Sequence, residues 1–126
     1  MRTNSISNPY LQHREGSDVD DVLTLSAACT RFGRSATLVE VPLRDESLSR
    51  QHCAIVHSSD RESFLIDLGS ASGSYVDGER LAPHKPRKLA DGSVLSFGSG
   101  PATYTFRVVP PSNAAGAGAR GGKRKR

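Results

Sequence analysis

The chain has no tryptophan, one methionine and two cysteines among 126 residues, and aromatic side chains make up 6% of it. Cys29 and Cys53 cannot form a disulfide framework and are too few for a cysteine-only zinc site. That sparing use of cysteine suits a reducing compartment, nucleus or cytosol. No apolar run approaches the roughly 18 residues of a membrane-spanning helix, and the N-terminal "MRTNSISNPYLQHREGSDVDD" lacks the apolar centre of a secretory signal. No segment shows three turns of helical period. His13, His52, His57 and His84 never fall at metal-ligand spacing with one another or with a cysteine. A membrane partner, a resident metal, a cofactor and a small-molecule substrate are therefore not expected.

What is present is enough for one domain of modest size, with 36% hydrophobic and 24% charged residues. The formal charge of +4 is unevenly placed, because "RGGKRKR" at the C-terminus carries Arg120, Lys123, Arg124, Lys125 and Arg126. Removing that +5 from the chain's +4 leaves −1 for residues 1–119. The basicity belongs to a tail, so a pI near 9.4 implies no nucleic-acid surface on the folded part. Residues 1–21 lack any strand or helix period and read as a flexible arm. Residues 110–126, opening with "PPSNAAGAGARGG", read as a disordered Gly/Ala/basic tail. The folded unit is thus expected over 22–109.

Inside it, short apolar runs alternate with turn residues. "VLTLS" (22–26), "CTRF" (29–32), "LVEV" (38–41), "CAIVH" (53–57), "SFLID" (63–67), "SYV" (74–76), "SVLSF" (93–97) and "TYTFRVV" (103–109) are the strand candidates. "HSSDRES" (57–63) predicts a hairpin turn, and the Asp-Gly pairs at 77–78 and 91–92 are favourable turn dipeptides. Pro83 and Pro86 exclude a regular helix across "LAPHKPRKL". Many short strands at close spacing mean an all-β sandwich or barrel with its loops gathered at the ends.

Three loops carry residues suited to chemistry. Arg34 follows Gly33 at a strand end, and its planar fork suits a phosphate or carboxylate. "DESLSRQH" (45–52) offers serine hydroxyls and backbone N–H groups to an anion. "LGSASGSYVDGE" (68–79) is rich in small residues that let a backbone come close to a ligand. Each is also compatible with an ordinary solvated loop. Ser49, His52 and Asp67 supply the residue types of a nucleophilic triad. Yet "GSASG" places Ala71 where a nucleophile elbow needs serine, and no phosphate-binding loop of the G-x-x-x-x-G-K-[ST] type occurs. No enzyme is expected.

Taken in order, "RFGRS" (31–35), "SLSRQHCAIV" (47–56), "FLIDLGSASGSYVDGERL" (64–81) and "LADGSVLSFG" (89–98) resemble the forkhead-associated (FHA) domain. The resemblance implies a two-sheet SMAD/FHA-like β-sandwich of about eleven short strands, a non-catalytic module that binds phosphothreonine peptides through loops at one end. It implies phosphate contacts from Arg34 and Ser49, with Arg50 helping to hold the ligand. Gly33 and Gly73 would serve backbone shape, and His52 would brace the loops through hydrogen bonds. The third loop departs from the family's usual Ser-Thr-Asn-Gly-Thr, reading Ser70-Ala71-Ser72-Gly73-Ser74. Ser72 stands where an asparagine holds the ligand main chain, and it offers one donor where an amide offers two.

"RLAPHKPRKL" followed by "SVLSFGSGPATYTFRV" is similar to the FHA subgroup that contains the nuclear inhibitor of protein phosphatase 1. That likeness implies a nuclear protein of RNA processing or signalling. No Arg/Lys-Val-x-Phe docking motif is present ("FRVVP" ends in proline), so phosphatase binding does not follow from it. Three readings of Lys123, Arg124, Lys125 and Arg126 stay open: a nuclear-import signal, weak salt-dependent RNA contact, and a merely solvated terminus. Two functions from different classes follow, a phosphothreonine-peptide reader and a phosphate-independent scaffold or RNA-associated adaptor acting through the tail. A hydrolase built on Ser49 and His52 ranks below both.

Overall fold

The computed structural model describes residues 8–15 and 18–108, and in these the chain forms eleven strands and no helix. They are β1 (Tyr10–Glu15), β2 (Asp18–Thr24), β3 (Cys29–Gly33), β4 (Val41–Pro42), β5 (Cys53–His57), β6 (Ser63–Asp67), β7 (Ser74–Val76), β8 (Glu79–Arg80), β9 (Arg87–Lys88), β10 (Val94–Phe97) and β11 (Thr103–Arg107). Two sheets result, ordered β2-β1-β11-β10-β7-β8 and β4-β3-β5-β6-β9. Every pairing is antiparallel except β3 with β4. The expected two-sheet sandwich is the observed fold.

Period-2 patterning puts the core between the sheets. Tyr104 and Phe106 of β11, Thr30 and Phe32 of β3, and Ser63, Leu65 and Asp67 of β6 all turn inward. Leu11, Phe32, Ile55, Leu65 and Leu95 are fully buried. "CAIV" has no alternation because β5 is the central strand of its sheet, paired by β3 on one side and β6 on the other. Cys53 lies fully inside it, where burial pushes the thiol far above its ordinary range and leaves it inert.

The expectation of a flexible arm over 1–21 is corrected. Residues 10–15 and 18–21 belong to β1 and β2, so the folded unit begins well before residue 22. "YLQHRE" gave no strand signal because only Leu11 is buried in it. Its place comes from the backbone, which pairs with β11 through Tyr10–Arg107 and with β2 through Tyr10–Thr24. Residues 110–126, Lys123 to Arg126 among them, lie outside the described residues.

"LVEV" also differs from its expected strand. Leu38 and Val39 donate their N–H groups to the Ser35 carbonyl (3.1 and 3.2 Å), forming a turn, and only Val41–Pro42 pairs with β3. Glu40 is drawn to Arg31 instead, accepting from its backbone N–H (2.8 Å), Nε (3.1 Å) and Nη2 (2.7 Å). That guanidinium contact holds the Glu40 carboxyl at about 2. The Asp-Gly turn at 77–78 forms as expected between β7 and β8, both residues adopting positive φ (52° and 83°).

Register decides where the loops emerge. Phe32 is opposite Cys53, and Cys53 is opposite Asp67. The segments after Gly33, before Cys53 and after Asp67 therefore leave the sheet at one end. On the facing sheet Ser74 is opposite Phe97, so the turn after Phe97 reaches the same end.

Candidate functional site

The three loops singled out from the sequence are joined to one another by hydrogen bonds. Arg34 N–H donates to the Ser49 carbonyl (3.0 Å) and Ser35 N–H to the Arg50 carbonyl (3.2 Å). These bonds bring the backbones of Arg34, Ser49 and Arg50 side by side. Gly33 makes the approach possible, because a Cβ there would collide with the Arg50 carbonyl. Arg34 and Arg50 are exposed, and Ser49 is half-buried.

His52 ties the second loop to the third. Its ring is fully buried; Nδ1 accepts from Ser49 N–H (3.1 Å) and Nε2 lies 2.6 Å from the Gly73 carbonyl. An accepting Nδ1 puts the ring proton on Nε2, which donates to Gly73. Ser49 Oγ in turn accepts from Ala71 N–H (3.2 Å). Gly73 sits at a φ of +92°, a conformation that favours glycine, and a Cβ there would also press on the Arg80 guanidinium.

This geometry is not a nucleophilic triad. Both nitrogens of His52 are engaged by main-chain groups, so neither is left to take a proton from Ser49 Oγ. Asp67 does not orient the imidazole. Its Oδ1 accepts from the hydroxyls of Ser70 and Ser74 (2.6 Å each), and its Oδ2 from Gly69 N–H (3.1 Å) and Ser70 N–H (3.0 Å). Asp67 is thus the internal clamp of the third loop, and the sequence reading did not assign it that role. An aspartate at a strand end, with N–H groups two and three residues on, is a recognisable Asx-type signal. Burial pushes its carboxyl up, but the Ser70 and Ser74 hydroxyls and the two N–H groups outweigh burial and hold it below the ordinary 3.8.

A lowered folded-state value stabilises the protein above the unfolded carboxylate range, and the stabilisation is lost as pH falls through the folded value. Urea midpoints measured against pH should therefore hold steady above about pH 5 and decline below about pH 4. Asp67→Asn should flatten part of that acid decline. Identical acid limbs in wild type and variant would remove Asp67 from this role.

Ser72 lies within the site, but not as a free donor. Its hydroxyl donates to the Ser47 carbonyl (2.7 Å), which leaves only oxygen lone pairs for an incoming chain. Ser47 itself was not anticipated. Its Oγ donates to Asp45 Oδ1 (2.8 Å) and accepts from Ser99 N–H (3.0 Å), linking the second loop to the β10–β11 turn. Arg80 is a further unanticipated group: its Nη2 lies 3.5 Å from the carbonyl of Ala71, the residue whose N–H reaches Ser49 Oγ, so it adds a cation at the third loop. No group of three or more His, Cys, Asp and Glu side chains arranged to hold a metal ion occurs among the described residues.

A two-sheet β-sandwich with these loops at one end is the architecture of a known class of binding module, and a family model described as "FHA domain" matches residues 30–98. The chain belongs to the FHA family, whose members are non-catalytic modules of phosphopeptide-dependent protein interaction. It is 40% identical over 80 residues to the human nuclear inhibitor of protein phosphatase 1, an alignment spanning 63% of this chain and 23% of that protein. The chain thus matches less than a quarter of this relative's length. Among solved structures it superimposes with a TM-score of 0.69 on an FHA domain studied for phosphothreonine-dependent interactions. That pair is 26% identical, with 82% of this chain and 99% of the other covered. An FHA domain of an Arabidopsis thaliana hypothetical protein shares the fold at a TM-score of 0.74 and 23% identity, covering 89% of this chain and 97% of that one.

Proposed function

We propose that this chain is a phosphothreonine-peptide reader, acting in the nucleus in phosphorylation-dependent protein assembly for RNA processing or signalling. The observation that carries this reading is the main-chain bond from Arg34 to Ser49. It joins the turn that carries the exposed Arg34 guanidinium to the turn that carries the half-buried Ser49 hydroxyl, which supports a shared grip on one oxyanion. A phosphothreonine presents a charge of about −1.5 to −2 and three acceptor oxygens. The guanidinium fork of Arg34, the hydroxyl of Ser49 and the cations of Arg50 and Arg80 match that demand. Hydrogen bonds to charged groups contribute about 1.5–3 kcal/mol each, so two or three with flanking main-chain contacts reach roughly micromolar affinity, about −8 kcal/mol. The nuclear assignment is supported by the name of the 40%-identical human relative and by the basic residues 120–126.

Fluorescence polarisation with matched phosphorylated and unphosphorylated threonine peptide libraries tests the reading. Binding confined to the phosphorylated set is expected. Equal binding to both sets would replace it with a phosphate-independent scaffold.

A further inference from the structure

A cleft of about 610 Å³ opens beside the second loop, between the β1–β2 edge of one sheet and β4 of the other. Leu23, Leu43 and Pro101 line it together with Tyr104, whose ring stacks on Phe97 at a centroid distance of 5.1 Å. Its polar lining is mainly acidic, with Glu15, Asp45 and Glu46 set against Arg44 and His13. Glu15 and Glu46 are exposed and have no ion-pair partner among the described residues. Asp45 gives Oδ1 to Ser47, and its Oδ2 lies against Gly100, where a Cβ would collide with it. The Tyr104 hydroxyl is pushed up to about 12, by burial first, with Cys53 and the carboxylates of Asp45 and Glu15 adding to it. The Tyr104 ring forms the buried floor of the cleft, packed by Phe97 and His13 at 5.1 Å each, so the cleft's attraction for a cation rests on its carboxylates, two of them exposed.

The cation source is on the same chain. Residues 120–126 carry five positive charges, and residues 109–119 ("VPPSNAAGAGA") join them to the last described residue, Val108. β11 runs from the cleft at Tyr104 to Arg107, so the strand end lies some 10–14 Å from the cleft margin at about 3.4 Å per residue. A Gly/Ala-rich linker of that length spans about 17–20 Å on average and up to about 40 Å when extended. That mean reach exceeds the roughly 10–14 Å by a few ångströms, so the span is covered without extension and the effective concentration stays near millimolar.

We propose that the acidic cleft lined by Glu15, Asp45, Glu46 and Tyr104 is the docking site of the chain's own basic segment, residues 120–126. The contact is intramolecular and independent of the phosphate site reading. Lysine and arginine heads face the carboxylates, and their methylene stems lie along Leu43, Pro101 and Ala102. Because the carboxylates of Glu15 and Glu46 are exposed, the contact is sensitive to ionic strength, weakening as the screening length falls from about 10 Å at 0.1 M salt to about 3 Å at 1 M.

The test is a pair of amide ¹H–¹⁵N spectra of the full chain and of a variant carrying Arg120→Gln, Lys123→Gln, Arg124→Gln, Lys125→Gln and Arg126→Gln. Shift differences should cluster at Glu15, Leu43, Glu46 and Ala102, stay constant across a tenfold range of protein concentration, and vanish at 1 M salt. A Glu15→Gln/Glu46→Gln variant with an intact tail should reproduce the spectral change in residues 120–126. No differences, differences on another face, or persistence in the glutamine pair would overturn the proposal. Differences that grow with protein concentration would overturn it too, by assigning the cleft to the tail of a second copy.

Discussion

Replacing Arg34 by alanine is expected to weaken phosphopeptide binding by about 2–5 kcal/mol while leaving the fold intact. The two halves of that expectation have separate causes. Only the backbone of Arg34 is built into the structure, through its N–H to the Ser49 carbonyl, and alanine keeps that bond. The exposed guanidinium makes no hydrogen bond or ion pair with another described residue, so its loss removes no internal contact. In the proposed complex the same group would face a doubly charged oxyanion beneath bound peptide, and truncating one half of a covered charge pair costs about 2–5 kcal/mol. At about 1.4 kcal/mol per tenfold, the dissociation constant rises roughly 30-fold or more. Arg34→Lys should fall between, keeping the charge and losing the two-pronged geometry. Titration calorimetry, with thermal unfolding as the control, reads both halves. Unchanged affinity in a folded Arg34→Ala protein would remove Arg34 from the phosphate site.

The second large effect belongs to His52, and it falls on stability as well as binding. Alanine there would leave the part-buried Ser49 N–H without its acceptor and the Gly73 carbonyl with only the Gly98 N–H (2.9 Å). The stranded Ser49 N–H costs about 1–3 kcal/mol, and the vacated volume of the fully buried ring adds a packing loss, so about 3–5 kcal/mol of folding stability should disappear. Phosphopeptide binding should weaken too, since the imidazole links the Ser49 loop to the loop at Gly73. His52→Asn offers a donor and an acceptor on a shorter side chain and should recover part of both losses. Urea unfolding and peptide titration on the two variants separate this bracing role from a catalytic one. A His52→Ala protein as stable as wild type would contradict the loop-bracing geometry.

Much of this site was legible in the sequence because its signals are local. Gly33-Arg34 and Ser49-x-x-His52 mark polar turns beside short apolar runs, and their order along the chain, matched to the FHA pattern, picked them out. The parts that were not legible depend on partners distant in the chain. Asp67 carries the right residue types for a relay with Ser49 and His52, and nothing within the sequence distinguishes that from a clamp on Ser70 and Ser74. Ser72 was expected to face the ligand, yet its proton reaches the Ser47 carbonyl twenty-five residues away. Arg80 sits in a two-residue strand too short for any pattern to register.

The amino-acid sequence alone determined the all-β class, the hairpin between β5 and β6, and the three polar loops of the candidate site. Apolar alternation, Asp-Gly turns and residue chemistry act over a few positions, so a single strand of text contains them. Only the tertiary structure decided that residues 10–15 and 18–21 join the sheet, that Asp67 locks its own loop, and that an acidic cleft flanks the second loop. Those outcomes rest on register between strands far apart in the chain, where backbone pairing chooses which oxygen meets which N–H and no local pattern records the choice.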